Sequence, residues 1–219
     1  MKIFLRFFFK LLYHQLAFAY DLVAGAVSFG QWKNWIMSVI PFIEGTRILE
    51  IGHGPGHLQR VLLTLPPGSH RPDVFSGGQA RQLSVAGIDE SAQMGWLAKR
   101  NTDDSARLTR GLAQSLPFKS ESFDTVISTF PAEYITHPQT LAEVRRCLSD
   151  RGRFIILPAA WPRNPFLDWL FRVTGESPSE AMELVKSKFK KPFVDAGFET
   201  EIRTLDAGSS ILLIVIANP

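Results

Sequence analysis

The stretch Arg47-Ile48-Leu49-Glu50-Ile51-Gly52-His53-Gly54-Pro55-Gly56 decides how the rest of the chain is read. Its first five residues, dominated by branched apolar side chains, form a strand that stops at Gly52. The glycines that follow let the backbone turn sharply and approach a ligand with no side chain in the way. Leu58, Val61 and Leu62 then recur at helical spacing. A glycine-rich turn alone is weak evidence, and its position between a strand and a helix is what gives it weight.

The alternation continues on both sides. Residues 84–88 form a second strand, and a helix follows over 91–100. A third strand falls near 107–109 and a fourth over 123–128. From Pro138 a helix places Leu141, Val144 and Leu148 on one face, with Glu143, Arg145 and Arg146 outward. Gly152 leads into a fifth strand over 153–157. Ser177-Pro178-Ser179-Glu180 opens a helix by the capping-box pattern, with proline in its first turn, and that helix runs to about Phe189. Residues 198–205 and 210–217, joined through Asp206-Ala207-Gly208, close the chain as an antiparallel hairpin at a sheet edge. The expected fold is α/β: a Rossmann-like, seven-stranded, mostly parallel sheet with helices on both faces and a terminal antiparallel hairpin. It is read as one domain over residues 1–219, with a helical cap at 1–45, a ligand-binding core at 46–158, and closing helices and strands at 159–219. Residues 66–83 read as a long inserted loop.

Composition narrows the class. The 219 residues are 45% hydrophobic and 21% charged, an ordinary globular balance. A net charge of +3 falls short of a nucleic-acid footprint. Cys147 has no partner for an internal disulfide and reads as an inert, partly buried thiol, which fits a reducing, cytoplasmic compartment. His14, His53, His57, His70 and His137 form no metal-ligating pair within one helix or strand, so no metal is expected. Residues 1–20 are rich in Phe and Leu, but Lys2, Arg6, Lys10 and His14 interrupt them every four residues. No uncharged stretch there is long enough to span a bilayer, and no small-residue cleavage site follows. Two readings stay open for that segment: a helix packed against the domain over its ligand cleft, or a basic amphipathic helix on a membrane surface.

The turn also selects its ligand. A dinucleotide fingerprint is G-x-G-x-x-G, and counting from Gly52 its third glycine position holds His57. Glu50, just before the turn, would repel a pyrophosphate and attract a cationic amino-acid group. Both features argue against an NAD-type oxidoreductase.

Glu50–Gly56 resembles motif I of the class I methyltransferases that use S-adenosylmethionine (SAM). Three further segments resemble the same family in the same order. They are Gly87-Ile88-Asp89-Glu90-Ser91-Ala92-Gln93-Met94; Ala113-Gln114-Ser115-Leu116-Pro117-Phe118 with Ser122-Phe123-Asp124; and Leu141-Ala142-Glu143-Val144-Arg145-Arg146-Cys147-Leu148 with the strand after Gly152. The likeness covers about residues 46–158 and is nearest to the ubiquinone-biosynthesis-like, type 11 group. It implies that Glu50 attracts the ammonium of SAM while Gly52, Gly54 and Gly56 let the backbone pass close to it. It implies that Asp89 accepts from the ribose hydroxyls, where the alternative is a helix cap. Met94 would flank the adenine, or else be plain core, and the Ala113 backbone would meet the adenine edge. Ser128 joins the cofactor-binding set. Where the family often has an acid for the adenine amino group, this chain has Leu112.

For methyl transfer the protein has chiefly to align an acceptor with the sulfonium and exclude water, and a base is needed only if the acceptor must lose a proton. Residues after the fourth strand stand where open α/β sheets bind ligands: Ser128, Thr129, Phe130, Glu133, Tyr134 and His137. Glu133, Tyr134 and His137 are the candidates for catalysis, with no catalytic residue assigned. Thr129-Phe130-Pro131-Ala132 does not match the Asn-Pro-Pro-Tyr signature of enzymes that methylate amino groups in nucleic acid. Trp161, Phe166, Trp169, Leu170 and Phe171 read as an apolar acceptor pocket or as core. The expected acceptor is a small molecule of apolar or lipid-like character, reached by in-line displacement. The alternative is a SAM-binding but catalytically silent partner subunit.

Overall fold

The structure, a computed structural model, describes residues 28, 30–65, 83–102, 106–163 and 178–219. Residues 1–20, nearly all of the 66–83 loop, and Phe166, Trp169, Leu170 and Phe171 lie outside the described residues. Seven strands form one sheet: β1 Arg47–Ile51, β2 Ser84–Asp89, β3 Arg107–Arg110, β4 Phe123–Thr129, β5 Leu148–Pro162, β6 Glu199–Asp206 and β7 Ser210–Asn218. Their spatial order is β3-β2-β1-β4-β5-β7-β6. The first five are parallel, whereas β7 runs antiparallel to both β5 and β6. The terminal hairpin therefore forms as expected, with β6 on the edge. The chain builds outward from β1 through β2 to β3, then crosses back to β4, so the order reverses between β1 and β4. Ligands of open α/β sheets bind at such a reversal, beyond the carboxyl ends of the strands.

Alternation of side chains explains why the sheet is covered on both faces. Leu49, Ile51, Val126, Phe154, Ile156 and Val215 are buried on one face, together with Leu141, Val144 and Cys147 of α4 (Pro138–Cys147) and Phe189 and Phe193 of α5 (Pro178–Asp195). Ile48, Ile127, Ile155, Leu157 and Ile214 point the other way, against Trp35 and Ile36 of α1 (Trp32–Met37) and Leu58 and Leu62 of α2 (His57–Thr64). The remaining helix, α3 (Ala92–Asn101), follows β2. Cys147 is fully rather than partly buried, and burial pushes its thiol above the usual range. Among the described residues no helix is long and apolar enough to cross a membrane, and no group of His, Cys, Asp and Glu is gathered as for a metal.

Three elements depart from the sequence reading. Helix α5 does not stop near Phe189 but continues through Pro192 to Asp195. Phe189 and Phe193, four apart, pack on each other with ring centroids 5.8 Å apart, Phe193 stacks on Phe154 at 5.9 Å, and this packing carries the helix past Pro192. Gly197, at φ +80°, then ends the helix, with the Phe198 N–H donating to the Phe193 carbonyl. Strand β5 is longer than expected because it pairs with β4 on one side and β7 on the other, across a register shift between Ile156 and Ala159. Finally, Glu143 and Arg146 are only partly exposed and lie against the 111–118 loop. Arg146 grips the Glu143 carboxylate at 2.7 and 2.8 Å and donates to the carbonyls of Leu116 and Phe118, while Glu143 accepts from the Leu116 N–H at 2.8 Å.

Asp124 fixes the entry of β1. Its carboxylate accepts from the N–H groups of Thr46 and Arg47, both at 3.0 Å, and from the Arg47 side chain. Partial burial pushes this carboxyl up, but the Arg47 guanidinium and the two backbone donors outweigh it and hold the group below the usual range. Asp124→Ala is expected to destabilise the protein by about 2 kcal/mol in urea unfolding, because several charge-assisted bonds lose their acceptor. A lowered folded-state pKa gives stability that is present above the unfolded value and lost as pH falls through the folded one. Wild type and variant should therefore converge between about pH 5 and pH 2.

Candidate functional site

The carboxyl ends of β1, β2 and β4 converge at the glycine turn. Gly52 (φ +72°), Gly54 and Gly56 (φ +81°) all lie in the left-handed region that disfavours other residues. Gly56 caps α2, and a Cβ there would come within 2.9 Å of Ala98 on α3, so its bareness lets two helices pack. At Gly52 a Cβ would meet the hydroxyl of Tyr134.

Asp89 ties the turn to the next unit. One carboxylate oxygen accepts from the Gly54 N–H at 3.0 Å, the other from the Ser91 N–H at 2.8 Å. Ser91 in turn caps α3 by accepting from the Met94 N–H at 3.3 Å. Asp89 thus has a structural task, close to the helix-cap alternative, and each oxygen keeps a second lone pair. Its main chain reaches onward as well, since the Asp89 carbonyl accepts from the Gly111 N–H at 3.1 Å. That contact starts the 111–118 loop, which Glu143 and Arg146 hold from the other side. Ala113 is buried in this loop, while Leu112 stands 53% exposed beside it.

Glu50 is 1% exposed at the end of β1. Its carboxyl accepts from Gln59 Nε2 at 2.9 Å, and no cationic side chain among the described residues neutralises it. Burial pushes its pKa to about 8; the Gln59 bond pulls it down, and the nearby Asp89 charge raises it further. Gln59 is itself fully buried, also donates to the Ala86 carbonyl at 3.3 Å, and its own carbonyl oxygen has no partner. His53 is buried behind the turn with Nδ1 at 2.7 Å from the Gly54 carbonyl oxygen, and burial lowers its pKa. Nothing singled out Gln59 or His53 in the sequence. The available signal was a polar residue at 59, between Leu58 and Leu62 on the inward face of α2.

Beyond β4 the candidates separate. Ser128 is buried and donates to the Ile51 carbonyl at 2.8 Å, locking β4 to β1 at the point of reversal. Phe130 has φ +48°, a left-handed conformation in a residue other than glycine, held where its N–H donates to the Leu157 carbonyl at 2.7 Å. Such a conformation costs about 1–2 kcal/mol. The Phe130 ring stacks on Trp32 with centroids 4.3 Å apart, a contact worth about 0.5–1.5 kcal/mol beyond its buried area. The two terms are of similar size, so the stack largely offsets the strain. The turned chain enters a 3-10 turn, Glu133–Thr136, anchored by the buried Ile135. Glu133 and His137 are exposed, and His137 Nδ1 accepts from the Gln139 N–H as the cap of α4. Only Tyr134, of the three catalytic candidates, is brought against the glycine turn. Met94 has no exposed surface and packs as core. Trp161 lies half-buried on the far part of β5.

The comparisons with known proteins agree with this geometry. A family model described as a methyltransferase domain matches residues 49–156. The chain is 27% identical over 157 residues to a demethylmenaquinone methyltransferase of Thermotoga maritima, covering 70% of this chain and 62% of that one. It is 29% identical over 161 residues to a ubiquinone/menaquinone biosynthesis C-methyltransferase of Geotalea uraniireducens, covering 69% and 63%. The matches thus span a little under two thirds of the length of these relatives. Among solved structures, a TehB-like SAM-dependent methyltransferase from Corynebacterium glutamicum superposes with a TM-score of 0.55 at 18% identity, over 92% of this chain and 95% of that one. Geranyl diphosphate C-methyltransferase from Streptomyces coelicolor, solved with Mg2+, geranyl diphosphate and S-adenosyl-L-homocysteine, does so at 0.53 and 13%, over 85% and 77%. At these identities the structures speak for the fold, and the family match runs from β1 into β5, over the elements that make the glycine turn and its surroundings. Residues 49–156 belong to the class I SAM-dependent methyltransferase family.

Proposed function

We propose that the chain is an active SAM-dependent methyltransferase acting on a small, apolar acceptor. The observation that carries the reading is Glu50: a carboxyl buried at the end of β1, under a glycine-rich turn, with no cationic partner among the described residues. A carboxylate out of water is stable only when paired, so the site fits a ligand that brings a positive charge past Gly52, as the amino-acid end of SAM does. Asp89, with lone pairs left at the end of β2, accepts from the ribose. The Ala113 backbone, in a loop clamped by Glu143 and Arg146, meets the adenine edge, and Met94 backs that site from the core. Ser128 holds the β1 and β4 ends at the spacing this requires. Bound SAM supplies an electrophilic methyl group; the residues of the chain orient the acceptor in line with it and exclude water.

The acceptor side opens beyond β4 and β5, where the Trp32–Phe130 stack and Trp161 offer ring surface. The relatives named for quinone biosynthesis act in the same chemical range, which supports an apolar ring as acceptor. Such a molecule partitions into lipid, which fits the basic, aromatic residues 1–20 resting on a membrane surface. The whole chain acts as one domain, with 1–45 and 159–219 flanking the binding core.

Calorimetry on the full chain tests the cofactor. SAM and S-adenosylhomocysteine should bind, NAD should not, and Asp89→Asn should weaken both adenosyl ligands at least about tenfold, one charge-assisted bond's worth. Binding without turnover across a screen of quinol and phenol acceptors would leave the catalytically silent partner as the better account. Glu50 gives a second test. A folded-state pKa raised to about 8 means the neutral carboxyl supports the ligand-free fold fully below its ordinary pKa, and that support drains as pH rises to the folded value. Glu50→Gln should therefore melt with wild type near pH 4.5 and above it, by on the order of 5 °C or more, at pH 8.5. In wild type, SAM affinity should rise by up to about tenfold per pH unit between about pH 6.5 and 8, then level off, with a proton released on binding; the variant should bind weakly and without that slope.

A further inference from the structure

We infer that Tyr134 is a binding residue for the amino-acid end of SAM, and that its hydroxyl makes the site select ligands with an intact amino-acid tail over truncated thionucleosides. The inference rests on the methyltransferase reading above and deepens it. Strand order sets the direction of the ligand. With the adenine edge after β3 and the ribose at the end of β2, the rest of an extended SAM molecule must run over β1 toward β4. The point it reaches is the β1–β4 reversal, where Gly52 leaves β1.

Tyr134 stands at that point from the opposite side. Its hydroxyl lies so close to Gly52 that a methyl group there could not be accommodated. The ring packs against the core formed with α4 and α5, so the hydroxyl is delivered by a fixed stem. The 3-10 turn that carries it is closed by the Ile135 N–H donating to the Ala132 carbonyl and the His137 N–H donating to the Tyr134 carbonyl at 3.1 Å. Below the turn sits Glu50, which takes the cationic end of the same group. An amino acid carries a carboxylate as well as an ammonium, and Glu50 can serve only the latter. A phenol hydroxyl donates to a carboxylate without adding charge beside the sulfonium, which a lysine or arginine would do.

The experiment compares two ligands that differ only in the tail. S-adenosylhomocysteine and 5′-methylthioadenosine are titrated by calorimetry into the full-length wild type and into Tyr134→Phe, which keeps the ring and its packing. The variant should bind S-adenosylhomocysteine about tenfold more weakly, one charge-assisted hydrogen bond's worth, and methylthioadenosine as wild type does. Equal weakening of both ligands, or of neither, overturns the role of Tyr134 while leaving the methyltransferase reading intact. Failure of wild type to bind either ligand overturns both. Unchanged methylthioadenosine affinity also establishes that the variant is folded.

Discussion

Keeping the Glu50 carboxyl out of water is the constraint around which the site is arranged. Moving a carboxylate into a protein interior costs several kcal/mol when nothing neutralises it. Among the described residues one amide hydrogen bond, from Gln59, meets it, and the nearby Asp89 charge works against its ionisation. The group is therefore held in its neutral form to well above the ordinary carboxylate range. Several neighbours are explained by that position. Gln59 has to be polar on a helix face that is otherwise apolar. Ser128 binds the Ile51 carbonyl next to it and closes the end of β1 against β4. Gly52 and Gly54 beyond it add no side chains of their own. A cationic ligand arriving at this point would return the free energy withheld from the ligand-free fold, turning the cost of burial into a source of affinity.

Much of the scaffold was legible in the chain because its signals are local. Strands β1, β4, β5 and β7 announce themselves by branched apolar runs, and the glycine turn stands out because three glycines in five residues serve no purpose in a helix or a strand. The helix starting about Ser91 and Gly152 before β5 are equally short-range. Where the reading fell short, a long-range contact had overridden a local signal. The helix opened at Pro178 reads as ending near Phe189, yet Phe193 is fully buried against Phe154, and the helix is carried past Pro192. Glu143 and Arg146 fall on the outer face of a helical wheel. Their partners are backbone groups of a loop some 30 residues earlier, which no periodicity can show.

The site divides in the same way. Glu50, Gly52, Gly54, Gly56 and Asp89 belong to one continuous pattern and meet at one turn in space. Glu133, Tyr134 and His137 were equivalent as sequence, three polar residues in a connecting segment. What separates them is the exit of β4. An extended chain leaving Thr129 would carry the segment away from β1; the left-handed conformation of Phe130 turns it back, and of the three side chains only Tyr134 is delivered to Gly52.

That turn also links the two sides of the site. Phe130 is held in its strained conformation by the Leu157 carbonyl on one side and by the Trp32 ring on the other. Trp32 belongs to α1, whose Trp35 and Ile36 are buried against the sheet face opposite α4 and α5. Tyr134 packs with the core of the α4 and α5 face. The segment 130–134 therefore passes from one layer of the domain to the other across the carboxyl ends of β1 and β4. The position of the hydroxyl over Gly52 thereby depends on two aromatic residues and one unfavourable backbone angle.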